Sequence, residues 1–212
     1  MSTQETQELE QRGPGQLWSG VEPATARRLL LAAVDSFAAV GYHASTTRDI
    51  AQRAGLSGAA VYAFYTSKVE LLETISAVGH EAALAVFRSA LLTTDAPTDR
   101  VADAVRVLAT WHAENHQLAR IVQQELAALR PDARQSINLL RREFETLLEA
   151  ELERGVELGE FEIADLPGTT NALLSLCIDI TRWYTPRSNY SPRDLGELYA
   201  ALALRMIACP RR

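Results

Sequence analysis

Apolar residues in this chain recur at spacings of three and four and nowhere alternate long enough for a strand, so the sequence predicts an all-α protein. Leu29, Leu30, Ala33, Val34, Phe37 and Val40 form one such stripe between Pro23 and Gly41, with Gly41 as its stop. A short second helix is expected from Arg48 to Ala54, capped by Thr47 and facing inward through Ile50 and Ala51. Gly55-Leu56-Ser57 reads as a tight turn and Gly58 to Phe64 as a short third helix. Ser67-Lys68-Val69-Glu70 has the form of a capping box, opening a long helix through Leu71, Leu72, Ile75, Val78, Leu84 and Phe87 to about Leu92. Further helices are expected over 98–114, 117–129, 132–158 and 169–184, with Gly159 and Pro167 bracketing a turn. Ser191, Pro192 and Asp194 supply a cap, a first-turn proline and an early acid for the last helix, giving about nine in all.

A chain of 212 residues, 47% hydrophobic and 23% charged, is long enough to bury a core as one large domain or two small ones. Cys177 and Cys209 lie in apolar stretches, the habit of buried, reduced thiols rather than of a disulfide scaffold. No basic-then-apolar leader opens the chain, and no run approaches the ~20 apolar residues of a membrane span, so a cytoplasmic, non-membrane protein is expected. Residues 1–22, with Gly13-Pro14-Gly15 and several glutamines, read as a flexible tail. Net charge is −6, but it is unevenly spread. Arg27, Arg28, Arg48, Arg53 and Lys68 against Asp35, Asp49 and Glu70 leave residues 23–70 at +2, the positive part of an acidic chain.

Three short helices with a glycine turn between the second and third have the geometry of a helix-turn-helix. Ser57, Gly58, Ala59 and Ala60 put no bulk at the start of the third helix, so it can approach a surface closely. Tyr62 and Tyr65 carry hydroxyls near its end. Thr46, Thr47 and Arg48 begin the second helix, where backbone N–H groups favour a phosphate, and Lys68 is placed likewise on the fourth.

The order of residues adds to the geometry. The run from Thr46 to Leu71, with Phe37-Ala38-Ala39-Val40-Gly41-Tyr42 before it, closely resembles the TetR family of repressors. The resemblance implies a three-helix DNA-binding domain at 23–70, a larger helical ligand-binding and dimerisation domain at 71–212, and a homodimer on a palindromic operator. One departure is that Phe64 precedes Tyr65, which gives Tyr65 the place of a buried anchor and leaves Tyr62 as the surer phosphate contact.

The remaining residues show no nucleophile–base pair, phosphate loop or Cys-x-x-Cys, so no enzyme, cofactor or catalytic residue is expected. His112 and His116 stand four apart without an evident third ligand, so no metal site is assigned. The helix around Leu173, Leu176, Cys177, Ile180 and Trp183 is apolar almost all round and must be covered on more than one side. With Leu195, Leu198, Tyr199, Leu202 and Met206 of the last helix, it is the expected dimer interface. Arg182-Trp183-Tyr184-Thr185-Pro186, followed by Ser191-Pro192, resembles a branch of the family answering to acyl-coenzyme A thioesters in steroid and fatty-acid breakdown. Arg182 is then a buried cation for an anionic effector, or a partner of Asp179. Phe87, Trp111, Leu118, Val122, Phe144 and Leu148 are candidate pocket linings. A ligand-released repressor is the expected function; an activator shares every DNA feature, and a helical protein-interaction module is the rival without DNA.

Overall fold

The computed structural model describes residues 17–18 and 20–207, which hold nine α-helices. They are α1 (Ala24–Val40), α2 (Thr47–Arg53), α3 (Gly58–Tyr62), α4 (Lys68–Ala90), α5 (Pro97–Glu114), α6 (His116–Gln124), α7 (Pro131–Glu157), α8 (Leu166–Trp183) and α9 (Pro192–Ile207). The expected Cys209 falls outside the described residues, as does most of the expected tail. The tail's last part is not loose: Trp18 is only 2% exposed, and the Val21 N–H donates to its carbonyl.

Local chemistry fixes the helix ends. Gly41 stops α1 at φ +83°, its N–H donating to the Phe37 carbonyl. At α4 the Ser67 hydroxyl accepts the Glu70 N–H at 3.2 Å, but the Glu70 carboxylate accepts from the N–H and hydroxyl of Thr66, one residue further out than a capping box requires. Those bonds hold the Glu70 carboxyl below its usual range. The Ser191 hydroxyl accepts the Asp194 N–H, and Asp194 returns the bond to Ser191 N–H, so α9 begins in the reciprocal arrangement. Helix α8 starts three residues earlier than periodicity indicates. Asp165 caps the Gly168 N–H, and Pro167 lies in the first turn, where its missing N–H costs nothing.

Two compact units result, one of residues up to Gly79 with Gln117–Arg134, the other of His80–His116 with residues from Gln135 onward. The boundary expected at residue 70 differs from this for a packing reason. Gly79 lies against Leu118, where a Cβ would come within 2.9 Å of Leu118 Cδ2, and Arg130 forks onto Glu73. The start of α4 and most of α6 therefore belong with α1–α3.

The second unit is built around Phe87, Val101, Leu108, Leu148, Leu152, Leu173, Ile180 and Leu195. Gly196 lets α9 close on α5; a Cβ there would meet the Arg106 carbonyl at 2.8 Å. Cys177 is fully enclosed, and burial pushes its thiol up to about 12.

His112 is buried too, and desolvation is the main cause that brings its pKa down to about 4. The unfolded chain takes up that proton near pH 6.5, whereas the folded protein resists it to about pH 4. The resulting stability is fully present above pH 6.5 and is lost progressively as pH falls toward 4. Between pH 7.5 and 5 the native protein is expected to lose roughly 2 kcal/mol that a His112→Gln variant does not lose. Denaturant titrations at both pH values check this, and equal losses in the two proteins would refute it.

Candidate nucleic-acid interface

The surface expected to meet DNA is built from α2 and α3. Thr46, rather than Thr47, caps α2: its hydroxyl accepts the Asp49 N–H at 3.1 Å and donates to the Asp49 carboxylate at 2.6 Å. Helix α2 therefore begins one residue early, and the hydroxyl of Thr47 is 3.1 Å from that of Tyr62 on α3. Arg48 and Arg53 on α2 are exposed.

The turn is a Schellman arrangement. Gly55 N–H donates to Gln52 and Leu56 N–H to Ala51, and Gly55 sits at φ +68°, a conformation any other L-residue adopts at a cost. Arg28, absent from the sequence-based set, braces this turn by donating to the Ala54 carbonyl. Ile50, Ala51 and Val61 are buried where α2 meets α3. Helix α3 is short, and Ser57, Gly58, Ala59 and Tyr62 are exposed, with Ala60 half-buried. Ser57 makes no side-chain cap, and Tyr62 keeps 59% of its surface open.

Two of the expected DNA contacts face elsewhere. Tyr65 is only 6% exposed, with its hydroxyl directed at the Ala26 carbonyl. Burial, reinforced by the Glu70 charge, raises its phenol to about 12, so it is an anchor of the three-helix core. Lys68 donates to the carbonyls of Tyr42 (2.7 Å), His43 (3.2 Å) and Ser45 (2.8 Å), and its ammonium lies 4.5 Å from the Tyr42 ring centre. An ammonium has three N–H donors, and these are all committed inside the protein. Lys68 ties the α1–α2 turn to α4 and offers no donor to a phosphate.

The expected ligand lining divides. Phe87, Phe144 and Leu148 share the core of the second unit, with Trp111 packed against it, whereas Leu118 and Val122 are buried in the first unit. Arg182 is not a buried cation: its side chain is 78% exposed and it pairs with Asp179 one turn away at 2.8 Å. His112 and His116 each direct Nδ1 to a backbone carbonyl, Leu108 and Ala113, and the described residues hold no group of three or more metal ligands.

The expected interface residues divide similarly. Leu173, Ile180 and Leu195 are buried in their own chain's core, because the helix face carrying them packs inward on α5. Tyr199 is partly buried against the same core. Leu176 and Trp183 on α8 and Leu198, Leu202 and Met206 on α9 remain exposed. Ala172, Ser175, Leu176, Asp179, Arg182 and Met206 line a groove on that face. No helix among the described residues is long and apolar enough to cross a membrane.

Two family models match the chain. Residues 29–75 match bacterial regulatory proteins of the tetR family, and residues 94–207 match the tetracyclin repressor-like C-terminal domain. Among solved structures, the chain is similar to a bacterial regulatory protein in the tetR family from Rhodococcus RHA1, at 37% identity and a TM-score of 0.84, over 89% of this chain and 100% of that one. It is also similar to the HTH-type transcriptional repressor KstR2 of Mycobacterium tuberculosis, 28% identical over 183 residues, which span 83% of this chain and 89% of that protein. AibR, solved in complex with isovaleryl coenzyme A and operator DNA, shares the fold at 18% identity and a TM-score of 0.76, over 84% of this chain and 97% of that one.

Proposed function

The chain belongs to the TetR family of bacterial regulatory proteins, and from that premise we propose that it is a homodimeric repressor released from a palindromic operator by a small ligand. The observation that carries this reading is the exposed pairing of Thr47 with Tyr62 beside a third helix whose leading residues have almost no side chain. That arrangement suits a backbone that must come close to a duplex. Thr46, Thr47, Arg48 and Tyr62 hold phosphates and fix the register, while Ser57 to Ala60 approach the base edges. A twofold dimer through α8 and α9 supplies two such heads for the two halves of a palindrome.

Release follows if the ligand prefers a state in which the heads have the wrong separation. Helix α4 carries the coupling, since it runs unbroken from Lys68 at the DNA end to Ala90 in the second unit. Strong control requires a preference of about ten-thousand-fold between the two states. The similarity to KstR2 supports repression, and the AibR complex supports an acyl-coenzyme A thioester as the effector class.

The test is selection of bound duplexes from a random pool, followed by titration of variants on the selected site. Tyr62→Phe is expected to weaken binding about tenfold by losing one charge-assisted hydrogen bond, with the salt dependence unchanged because the phenol is neutral. Arg48→Ala is expected to reduce the slope of log affinity against log salt by about one. Retention of no duplex by the wild-type protein, or full affinity in both variants, would overturn the reading.

A further inference from the structure

Helix α3 is too short to hold itself in place. It has five residues, of which Val61 alone is fully buried, and a helix of that length has no stability of its own in water. The angle at which it meets a duplex is therefore set by whatever grips its two ends. At both ends that grip comes from the first turns of α1, a helix outside the helix-turn-helix itself. At the leading end, Arg28 Nη2 donates to the Ala54 carbonyl at 2.5 Å. Ala54 is the C-terminal cap of α2 and is only 8% exposed. The carbonyls of Ala51 and Gln52 accept from Leu56 and Gly55, so the turn satisfies those two by itself. The Ala54 carbonyl takes its hydrogen bond from Arg28 instead, across 26 residues. The same Nη2 lies 3.3 Å from the place a Cβ would occupy at Gly55, so the guanidinium rests directly on the turn. At the trailing end, the Tyr65 hydroxyl is directed at the carbonyl of Ala26, two residues before Arg28.

Both ends of α3 are thus referred to one short stretch of α1, and that stretch is itself fixed. The N–H groups of Ala26 and Arg27 donate to the Pro23 carbonyl, Arg27 pairs with Glu22 at 3.6 Å, and Trp18 just upstream is enclosed. Arg27 spends its charge on a nearby carboxylate, whereas the exposed Arg28 reaches a neutral carbonyl in the turn. Ordering a long exposed side chain on one carbonyl costs rotamer freedom. What it secures is the direction in which α3 leaves the turn. Base edges are read only when the backbone of the reading helix is correctly placed in the groove, while phosphate attraction tolerates a looser fit.

We infer that Arg28 is a positioning residue for DNA reading. By holding the Ala54 carbonyl it sets the angle of α3 in the groove, and with it the discrimination between base pairs rather than the attraction to phosphates. This rests on the reading of the chain as a DNA-binding regulator, and it adds a residue of α1 to the determinants of its specificity.

The full chain, as wild type, Arg28→Met and Arg28→Lys, is titrated at several salt concentrations on the selected duplex and on a duplex of scrambled sequence. Methionine keeps most of the stem and removes the donor, while lysine keeps both a donor and the charge. Arg28→Met is expected to bind the selected duplex about tenfold more weakly. Its affinity for the scrambled duplex and its salt dependence should stay those of the wild type, and Arg28→Lys should recover most of the loss. Should Arg28→Met not melt cooperatively, Arg28→Gln takes its place under the same criteria. Equal losses on both duplexes with a salt slope lowered by about one would make Arg28 a phosphate contact instead. Full affinity of the donor-free variant for the selected duplex would leave its bond without bearing on recognition. Either result overturns the inference, as does an Arg28→Lys protein that binds no better than Arg28→Met. If the wild-type protein retains no duplex, the regulator reading falls and this inference with it; if only the variants fail to differ, this inference falls alone.

Discussion

A Lys68→Met protein is expected to unfold about 3 kcal/mol more easily than the wild type and yet to keep the wild-type salt dependence on DNA. The ammonium holds the carbonyls of Tyr42, His43 and Ser45, two of them at 2.7 and 2.8 Å. Hydrogen bonds to a charged group contribute roughly 1.5–3 kcal/mol each, and partial exposure of this group discounts their sum. Its position over the Tyr42 ring adds about 0.5–1 kcal/mol. Methionine keeps the aliphatic stem and removes the donors, leaving carbonyls in a turn whose Ser45 is buried and whose Tyr42 packs edge-on against Phe37. Urea titration reads the stability, and binding to a selected duplex at several salt concentrations reads the electrostatics. A phosphate role predicts the reverse pattern, an unchanged midpoint with a slope lowered by about one. That result would sink the assignment of Lys68 to the protein's interior.

The position of Lys68 shows what the sequence can and cannot convey. Its neighbours Ser67 and Glu70 announce a helix start by their spacing, and the helix starts there. The carbonyls that hold its side chain lie 23 to 26 residues away, and nothing in local spacing points to them. The same limit applies to Arg182, which sits among apolar residues in sequence, yet the face it occupies is exposed. Periodicity identified the helices because each buries one stripe, and it located the Gly55 turn because a positive φ selects glycine. It placed the cap at Thr47 where Thr46 supplies it, since either hydroxyl can cap and only the backbone bend chooses. Trp18 was missed because a single buried aromatic in a polar stretch has no period.

The largest effect is expected where the two chains of the proposed dimer meet. Leu198, Leu202 and Met206 recur every four residues along α9 and remain exposed, with Leu176 and Trp183 exposed on the adjacent α8. Contiguous apolar surface of this kind is normally covered by a partner. The groove it borders carries one anion and one cation, Asp179 and Arg182, as a surface that meets its own twofold copy requires. Leu202→Arg places an unpaired cation in that contact twice, once from each chain. Several kcal/mol of lost association, about a hundred-fold or more in the dimer constant, is the expected result. Because Leu202 is exposed in the single chain, the monomer should still fold, with an unchanged helical spectrum. Its operator affinity should then fall by about a hundred-fold or more, since the second head no longer binds at the high effective concentration set by the first. Leu139→Arg, the same change on an exposed position of α7, controls for the added charge and should remain dimeric with full affinity. Sedimentation velocity gives the oligomeric state, and titration on the selected duplex gives the affinity. A Leu202→Arg protein that stays dimeric would place the interface elsewhere. A monomer that binds the full site as tightly as the wild type would mean that spacing of two heads is not how this chain recognises DNA.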